Sequence, residues 1–228
     1  MVMHRHGKTI DTIFVDFDGV IRHWQAFQLQ KPVPLVKPPT DVLFGVAFAP
    51  DCLLPAITGQ CSHEAWVEDV AARLRHQYGA ATAKALISAW AVAEFTIDHA
   101  FLNAMRKQTA GSALALVTNA TSRLARDLHR AQLSHAFEHV INSSELGVAK
   151  PDKPFYLHAL QRANTVPERS VFIDDSRENV DTAKALGFHA WHHQDPASTL
   201  AFLAGLDFSS VTGQASQVRR NERLAKDV

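Results

Sequence analysis

The stretch Phe14-Val15-Asp16-Phe17-Asp18-Gly19-Val20 decides how this chain is read. A short apolar run, Ile13 to Val15, ends on a carboxylate, a second carboxylate follows two residues later, and a glycine then releases the backbone. A buried strand that delivers acids to its C-terminal edge in an open α/β sheet has this form. So does a strand closing in an Asp-x-Asp-Gly turn, because Asp and Gly are common turn formers. Alone, the stretch leaves the two readings balanced, since a short motif acquires meaning only from its context.

Moving outward, Ile21 to Pro50 carries Pro32, Pro34, Pro38, Pro39 and Pro50. Proline fixes φ and biases its predecessor to extended geometry, so this segment reads as a semi-rigid connection leaving the sheet. A short apolar helix fits between Asp41 and Ala49. From His63 the apolar period becomes helical. Trp66, Val70 and Leu74 mark one face up to Gly79; Leu86, Trp90, Ala93 and Ile97 mark a second helix; Phe101, Leu102 and Met105 mark a third that ends near Gly111. No strand-like alternation shows between Asp41 and Lys107. Residues 23–107 therefore read as a helical subdomain, with Trp66 and Trp90 in its core.

Beyond it, strand and helix alternate. Ala113 to Val117 is a strand ending on Thr118-Asn119, and Thr121 is placed to cap a helix with Leu124, Leu128 and Ala131 inward. Val140-Ile141 is a short strand, Glu145 to Pro151 a loop carrying Lys150, and Asp152 with Pro154 opens a helix. Val171 to Ile173 is a strand ending on Asp174-Asp175, followed by a helix that stops at Gly187. His189 to Trp191 is a last strand and Leu200 to Leu206 a last helix; residues 209–228 lose apolar periodicity and read as a frayed tail. Strands separated by helices of this length imply βαβ crossovers, hence an α/β fold with a doubly wound, Rossmann-like parallel sheet and an inserted helical block. The core then comprises residues 8–22 and 108–208. All C-terminal strand ends of such a sheet share one edge, so Asp16, Asp18, Thr118, Asn119, Asp174 and Asp175 are brought together in space.

Composition narrows the partners. Of 228 residues, 46% are hydrophobic and 20% charged, as in an ordinary globular protein, and 23 basic residues balance 23 acidic ones. That balance gives no electrostatic search for nucleic acid or an anionic membrane. Arg219, Arg220 and Arg223, interrupted by Glu222, read as a solvated tail. Cys52 and Cys61 lack metal-like spacing and read as reduced thiols. The basic residues of Met1 to Lys8 are followed by no apolar segment of the signal-peptide kind, and no run approaches the roughly 18 apolar residues of a membrane span. The expected location is cytoplasmic, with no membrane partner; oligomeric state is not legible.

Taken singly, Thr118-Asn119 is a strand-ending turn, Lys150 a solvated side chain, and Asp174-Asp175 with Ser176 a helix cap. Together, at strand ends, they are a site. That many acids cannot share a crevice fully ionised without a cation. The ligand set is all oxygen, which suits Mg²⁺ rather than zinc. Carboxylate-held magnesium facing a lysine and a hydroxyl is a phosphate site. One of the first two aspartates can attack phosphorus, and the other can protonate the leaving oxygen and then activate water.

Asp-Phe-Asp-Gly-Val from Asp16, Val-Thr-Asn from Val117, Gly-Val-Ala-Lys-Pro-Asp from Gly147 and Phe-Ile-Asp-Asp-Ser-Arg-Glu-Asn-Val from Phe172 resemble, in order, the four motifs of the haloacid dehalogenase-like (HAD) hydrolase superfamily. The resemblance spans roughly Asp11 to Trp191. The helical insertion resembles the α-helical cap subclass, and the wording around Lys150 and Asp174 is most similar to the phosphatase-like domain of epoxide hydrolases. The resemblance implies Asp16 as nucleophile and magnesium ligand, and Asp18 as general acid/base that also binds the metal through its carbonyl. It implies Thr118, with Asn119, as phosphoryl-binding, Lys150 as partner of nucleophile and phosphate, and Asp175 as a direct metal ligand. Asp174 is implied as a second ligand or an outer-shell partner. Arg177 and Asn179 read as helix-surface or outer-shell residues; His23 and Trp24 either face the substrate or pack in the connection.

Asp18 separates reactions, because displacing halide needs no proton donor whereas an alkoxide leaving group does. A small-molecule phosphate monoester is the expected substrate, hydrolysed through an aspartyl-phosphate. A phosphosugar mutase, a dehalogenase and a non-catalytic HAD-like binding protein are the alternatives.

Overall fold

The computed structural model describes residues 9–27, 29, 33 and 35–208; the tail arginines and the first histidines lie outside them. In chain order the elements are β1 (Thr12–Val15), β2 (Arg22–Trp24), α1 (Pro39–Ala47), α2 (Pro50–Ile57), α3 (His63–Tyr78), α4 (Ala80–Ala91), β3 (Phe95–Ile97) and α5 (His99–Gln108). There follow β4 (Ala113–Thr118), α6 (Leu124–Arg130), β5 (His139–Asn142), α7 (Ser143–Leu146), α8 (Lys153–Ala163), β6 (Ser170–Asp174), α9 (Arg177–Ala185), β7 (His189–His192) and α10 (Pro196–Ala204).

Among the described residues β1 is the middle strand of a five-stranded sheet of order β5-β4-β1-β6-β7, parallel at every pairing. Strand pleating sends alternate side chains to opposite faces, and both faces are covered. Ile13, Val15, Leu114, Leu116, Val171 and Ile173 join Phe101, Met105, Leu124 and Leu203 in one apolar cluster. Phe14, Ala115, Val117 and Phe172 join Phe155, Tyr156, Val180 and Phe188 in the other. In register, Phe14 lies between Ala115 and Phe172. Each Val, Leu, Ile or Phe among them contributes roughly 1.5–3 kcal/mol on burial, so this doubly covered middle strand is a rigid mount for whatever follows it. The α/β, Rossmann-like reading is thus correct.

The inserted block departs from the sequence reading in several places. Phe95-Thr96-Ile97 is a strand, antiparallel to Arg22-His23-Trp24 in register, and Ile97 is not on a helix. The pairing joins residues some seventy positions apart, so no local period announces it. The chain leaves the sheet along β2 and returns along β3, and this two-stranded ribbon brackets α1 to α4. The prolines start helices as well as breaking structure: Pro39 and Pro50 occupy first-turn positions, where the missing N–H is not needed. The short apolar helix expected between Asp41 and Ala49 is α1, which starts two residues earlier at Pro39; a second helix, α2, follows from Pro50, and the two form an apolar pair bent by 63°. The block has its own cluster, containing Val42, Leu43, Trp66, Val70, Leu74 and Leu86. Helix α5 does not join it, since Phe101, Leu102 and Met105 pack into the sheet's cluster.

Thr121 does not cap α6, which begins at Leu124 behind Arg123. Helix α10 starts four residues earlier than expected, because Asp195 accepts from the Ser198 N–H at 2.8 Å and Pro196 fills the first turn. Cys52 and Cys61 are free thiols. No single helix among the described residues is long and apolar enough to cross a membrane.

Candidate active site

Asp16 follows directly on β1, and its N–H still donates to Ile173 O at 2.9 Å, so the strand pairing carries it to the sheet edge. Its carboxylate meets the ammonium of Lys150 at 2.9 Å, and the same ammonium lies 2.7 Å from Asp174 Oδ2 and 3.0 Å from Val117 O. Lys150 is buried despite its charge. Asn119, just beyond β4, fixes its backbone: the Asn119 amide donates to Lys150 O and accepts from Lys150 N, both at 2.8 Å. Thr118 closes β4 beside it and is buried. Asp174, the last residue of β6, accepts from Ser176 N and from the Asn179 side chain, each at 2.9 Å on Oδ1. Both its oxygens are thereby engaged.

Carboxylate oxygens of Asp16, Asp174 and Asp175 lie within 4.8 Å of one another. Burial pushes the Asp16 carboxyl up to about 7; Lys150 opposes this and Asp174 reinforces it. For Lys150, burial alone would lower the pKa, but Asp16 and Asp174 outweigh it and hold the ammonium above its ordinary value. Partial burial, then the Asp174 charge, holds Asp175 above the usual carboxylate range. One ammonium is thus surrounded by three acids. A further positive charge is what this oxygen-only set lacks, and a hard divalent cation such as Mg²⁺ fits it. Asp16 and Asp175 have oxygens uncommitted to the protein frame, whereas those of Asp174 hold Lys150 and the start of α9.

Gly19 turns the chain sharply, with φ at +80°, and a Cβ there would run into the Asp175 carboxylate. Beyond this turn Asp18 is held by Arg22 rather than by Lys150. Arg22 grips it with both arms of its guanidinium, each nitrogen at 2.7 Å, and Trp24 Nε1 donates to Oδ1 at 2.8 Å. The rings of Phe17 and Trp24 flank the guanidinium, at 4.4 and 4.7 Å from its carbon. Its remaining nitrogen reaches Asp127 on α6 at 2.9 Å.

Of the six residues expected at the strand edge, Asp16, Asp174 and Asp175 form one cluster with Lys150 from its loop, Thr118 and Asn119 flank it, and Asp18 is held by Arg22. Asn179 is an outer partner of Asp174, as one reading of it had it. Arg22, Asp127, His63 and Arg123 escaped the sequence reading. Arg22 stands four residues after Asp18, a spacing that could have flagged it. Asp127 is 105 residues from Arg22 and carries no such signal.

The profile of the haloacid dehalogenase-like hydrolases matches residues 10–187. A sesquiterpene phosphatase of Aspergillus oryzae is 33% identical over 93 residues, which cover 39% of this chain and 46% of that protein. A phosphoglycolate phosphatase of Pseudomonas putida is 36% identical over 84 residues, covering 36% of this chain and 30% of that protein. The chain therefore spans less than half the length of these curated relatives. Among solved structures, a HAD family enzyme of Bacteroides thetaiotaomicron in complex with magnesium and inorganic phosphate superposes with a TM-score of 0.59 at 17% identity, over 81% of this chain and 94% of that one. That likeness speaks to the fold alone. The profile match covers β1, β4, β6 and the loop bearing Lys150, where the acids and the ammonium converge, and the chain belongs to the haloacid dehalogenase-like hydrolase family.

Proposed function

We propose that the protein is a Mg²⁺-dependent phosphatase that hydrolyses small-molecule phosphate monoesters through an aspartyl-phosphate on Asp16. The observation that carries this is the Lys150 ammonium held between Asp16 and Asp174 at 2.9 and 2.7 Å, with a second acid, Asp18, two residues beyond Asp16. The curated relatives named above are phosphatases of chemically different esters, which supports the reaction type and leaves the alcohol undecided.

An Asp16 oxygen forms a bond to phosphorus as the bond from phosphorus to the ester oxygen breaks. Asp18 gives that oxygen a proton, and the alcohol leaves. Asp18 then takes a proton from water, whose oxygen attacks phosphorus, releasing inorganic phosphate and restoring Asp16. Lys150 offsets charge on the nucleophile and on the phosphoryl oxygens, with Asp174 fixing its position, and Thr118 and Asn119 border the phosphoryl position. Asp18 must turn out of the Arg22 grip to serve, which its half-exposed side chain allows. Asp16 and Asp175 would hold the cation, which supplies charge stabilisation of the transferring phosphoryl group. The block α1 to α4 serves as a cap that limits access to the strand edge, with β2 and β3 as its stems.

The test uses p-nitrophenyl phosphate. Turnover is expected with Mg²⁺, lost in EDTA and restored by Mg²⁺, and acid-quenched enzyme gains the mass of one base-labile phosphoryl group. Asp16→Asn abolishes both signals with its circular dichroism unchanged; full activity in that variant would falsify the mechanism.

A further inference from the structure

A cavity of about 390 Å³ lies between the helical block and the strand edge, within the size range of small-molecule sites. Asp18 and Asn119 line it, whereas Asp16, Lys150 and Asp175 do not. It therefore opens on Asp18, the proposed proton donor, rather than on the nucleophile.

Its outer wall is a continuous run of aromatic rings. Phe27 meets Phe44 edge-on at 6.1 Å, Phe44 and Phe48 are stacked at 5.0 Å, Phe48 lies nearly parallel to Trp66 at 6.4 Å, and Trp66 meets Trp90 edge-on at 5.1 Å. Phe48 keeps 51% of its surface exposed, unusual for so large an apolar side chain inside a fold's cleft.

The inner wall is charged, but its charges are committed to one another. Asp127 accepts from Arg22 at 2.9 Å and pairs with Arg123 at 3.1 Å. Arg123 reaches His63 Nε2 at 3.1 Å, and His63 Nδ1 meets Thr121 Oγ1 at 3.0 Å. Asn119 is committed to the Lys150 backbone. A ligand rich in hydroxyls would give up water here for an aromatic wall and for charged groups that, apart from the donors Asp18 uncovers when it turns, are already paired, which is unfavourable. A hydrocarbon loses no hydrogen bonds and gains burial.

Resting on the phosphatase reading, we propose that the substrate is the phosphate monoester of an apolar alcohol, whose hydrocarbon fills the aromatic cavity while its ester oxygen faces Asp18. Polyhydroxylated phosphates are then poor substrates.

The experiment compares kcat/KM for n-alkyl phosphates from ethyl to octyl with that for glycerol and glucose phosphates, using the full chain with Mg²⁺ and phosphate release as readout. Each methylene buried is expected to raise kcat/KM about threefold to fourfold until the cavity is full. Phe48→Asn should cut the octyl-to-ethyl ratio about tenfold; if that variant does not fold, the chain-length series on the unaltered protein still decides. A flat or falling series, or a sugar phosphate outrunning octyl phosphate, overturns the apolar assignment and leaves the phosphatase reading standing. Release from none of these esters nor from p-nitrophenyl phosphate overturns both.

Discussion

The guanidinium of Arg22 meets both carboxylate oxygens of Asp18, Nε with Oδ1 and Nη2 with Oδ2, each at 2.7 Å. The third nitrogen reaches Asp127 at 2.9 Å, so one buried arginine ties the β1 turn to α6. Removing one member of a buried charge network leaves the others uncompensated, at about 3–5 kcal/mol. Arg22→Met is therefore expected to lower stability by about that amount; Arg22→Lys lowers it by less, because the charge is kept, but does not restore it, because a point charge cannot reproduce the fork. Urea titration reads this as a lower midpoint at unchanged slope. A midpoint within error of the unaltered protein would show that Arg22 does not hold this turn together.

Asp18 has a leaving-group test of its own. General acid catalysis contributes roughly 10²–10⁴-fold when the departing oxygen needs a proton. In single-turnover experiments Asp18→Asn should slow alcohol release from octyl phosphate by about that range. The burst of p-nitrophenolate, which departs as a stable anion, should persist. Equal slowing of both would remove proton donation from the role of Asp18.

Much of this arrangement could be read from the chain because each strand is short, apolar and ends on its own polar residues. Val15-Asp16, Val117-Thr118 and Ile173-Asp174 place their acids and hydroxyl without reference to any other segment, and the parallel sheet gathers them at one edge. What stayed hidden depends on partners distant in sequence. The β2–β3 ribbon pairs Trp24 with Phe95, and the Arg22–Asp127 contact joins a turn to a helix beyond the whole inserted block. Trp66 is legible as a core residue and is buried, while Trp90 is only partly buried at the edge of the same cluster, the two packing edge-on. Both also line the cavity, and the contact of Trp66 with Phe48 depends on where Phe48 falls at the bend between α1 and α2, which no periodicity records.

Gly19 has a double constraint: a φ of +80°, and a missing Cβ whose place is taken by the Asp175 carboxylate. Gly19→Ala strains the turn and pushes Asp175 aside. Displacing such a group is expected to weaken Mg²⁺ binding about 10–100-fold, by analogy with the loss of residues that orient ligands. Calorimetric titration of Mg²⁺ measures this directly. Wild-type affinity in Gly19→Ala would argue that Asp175 can move without consequence to the cation, and hence that it is not a ligand.

The stabilisation conferred by Mg²⁺ should grow with pH. Burial raises the Asp16 carboxyl from 3.8 to about 7, so the metal-free fold holds a proton that the unfolded chain has released. That contribution is full below about pH 4 and is lost as pH rises to about 7. His63 works in the opposite sense, because burial, with Arg123 adding to it, lowers its pKa from 6.5 to about 4. Its contribution is full above the unfolded value and disappears as pH falls toward the folded one. A cation at Asp16 and Asp175 requires the carboxylates deprotonated, so Mg²⁺ opposes only the loss at the alkaline side. The rise in melting temperature between EDTA and saturating Mg²⁺ is therefore expected to be larger at about pH 8 than at about pH 5.5. His63 touches Thr121 and Arg123 rather than the acids, so it cancels in that difference. A shift independent of pH would place the cation away from Asp16.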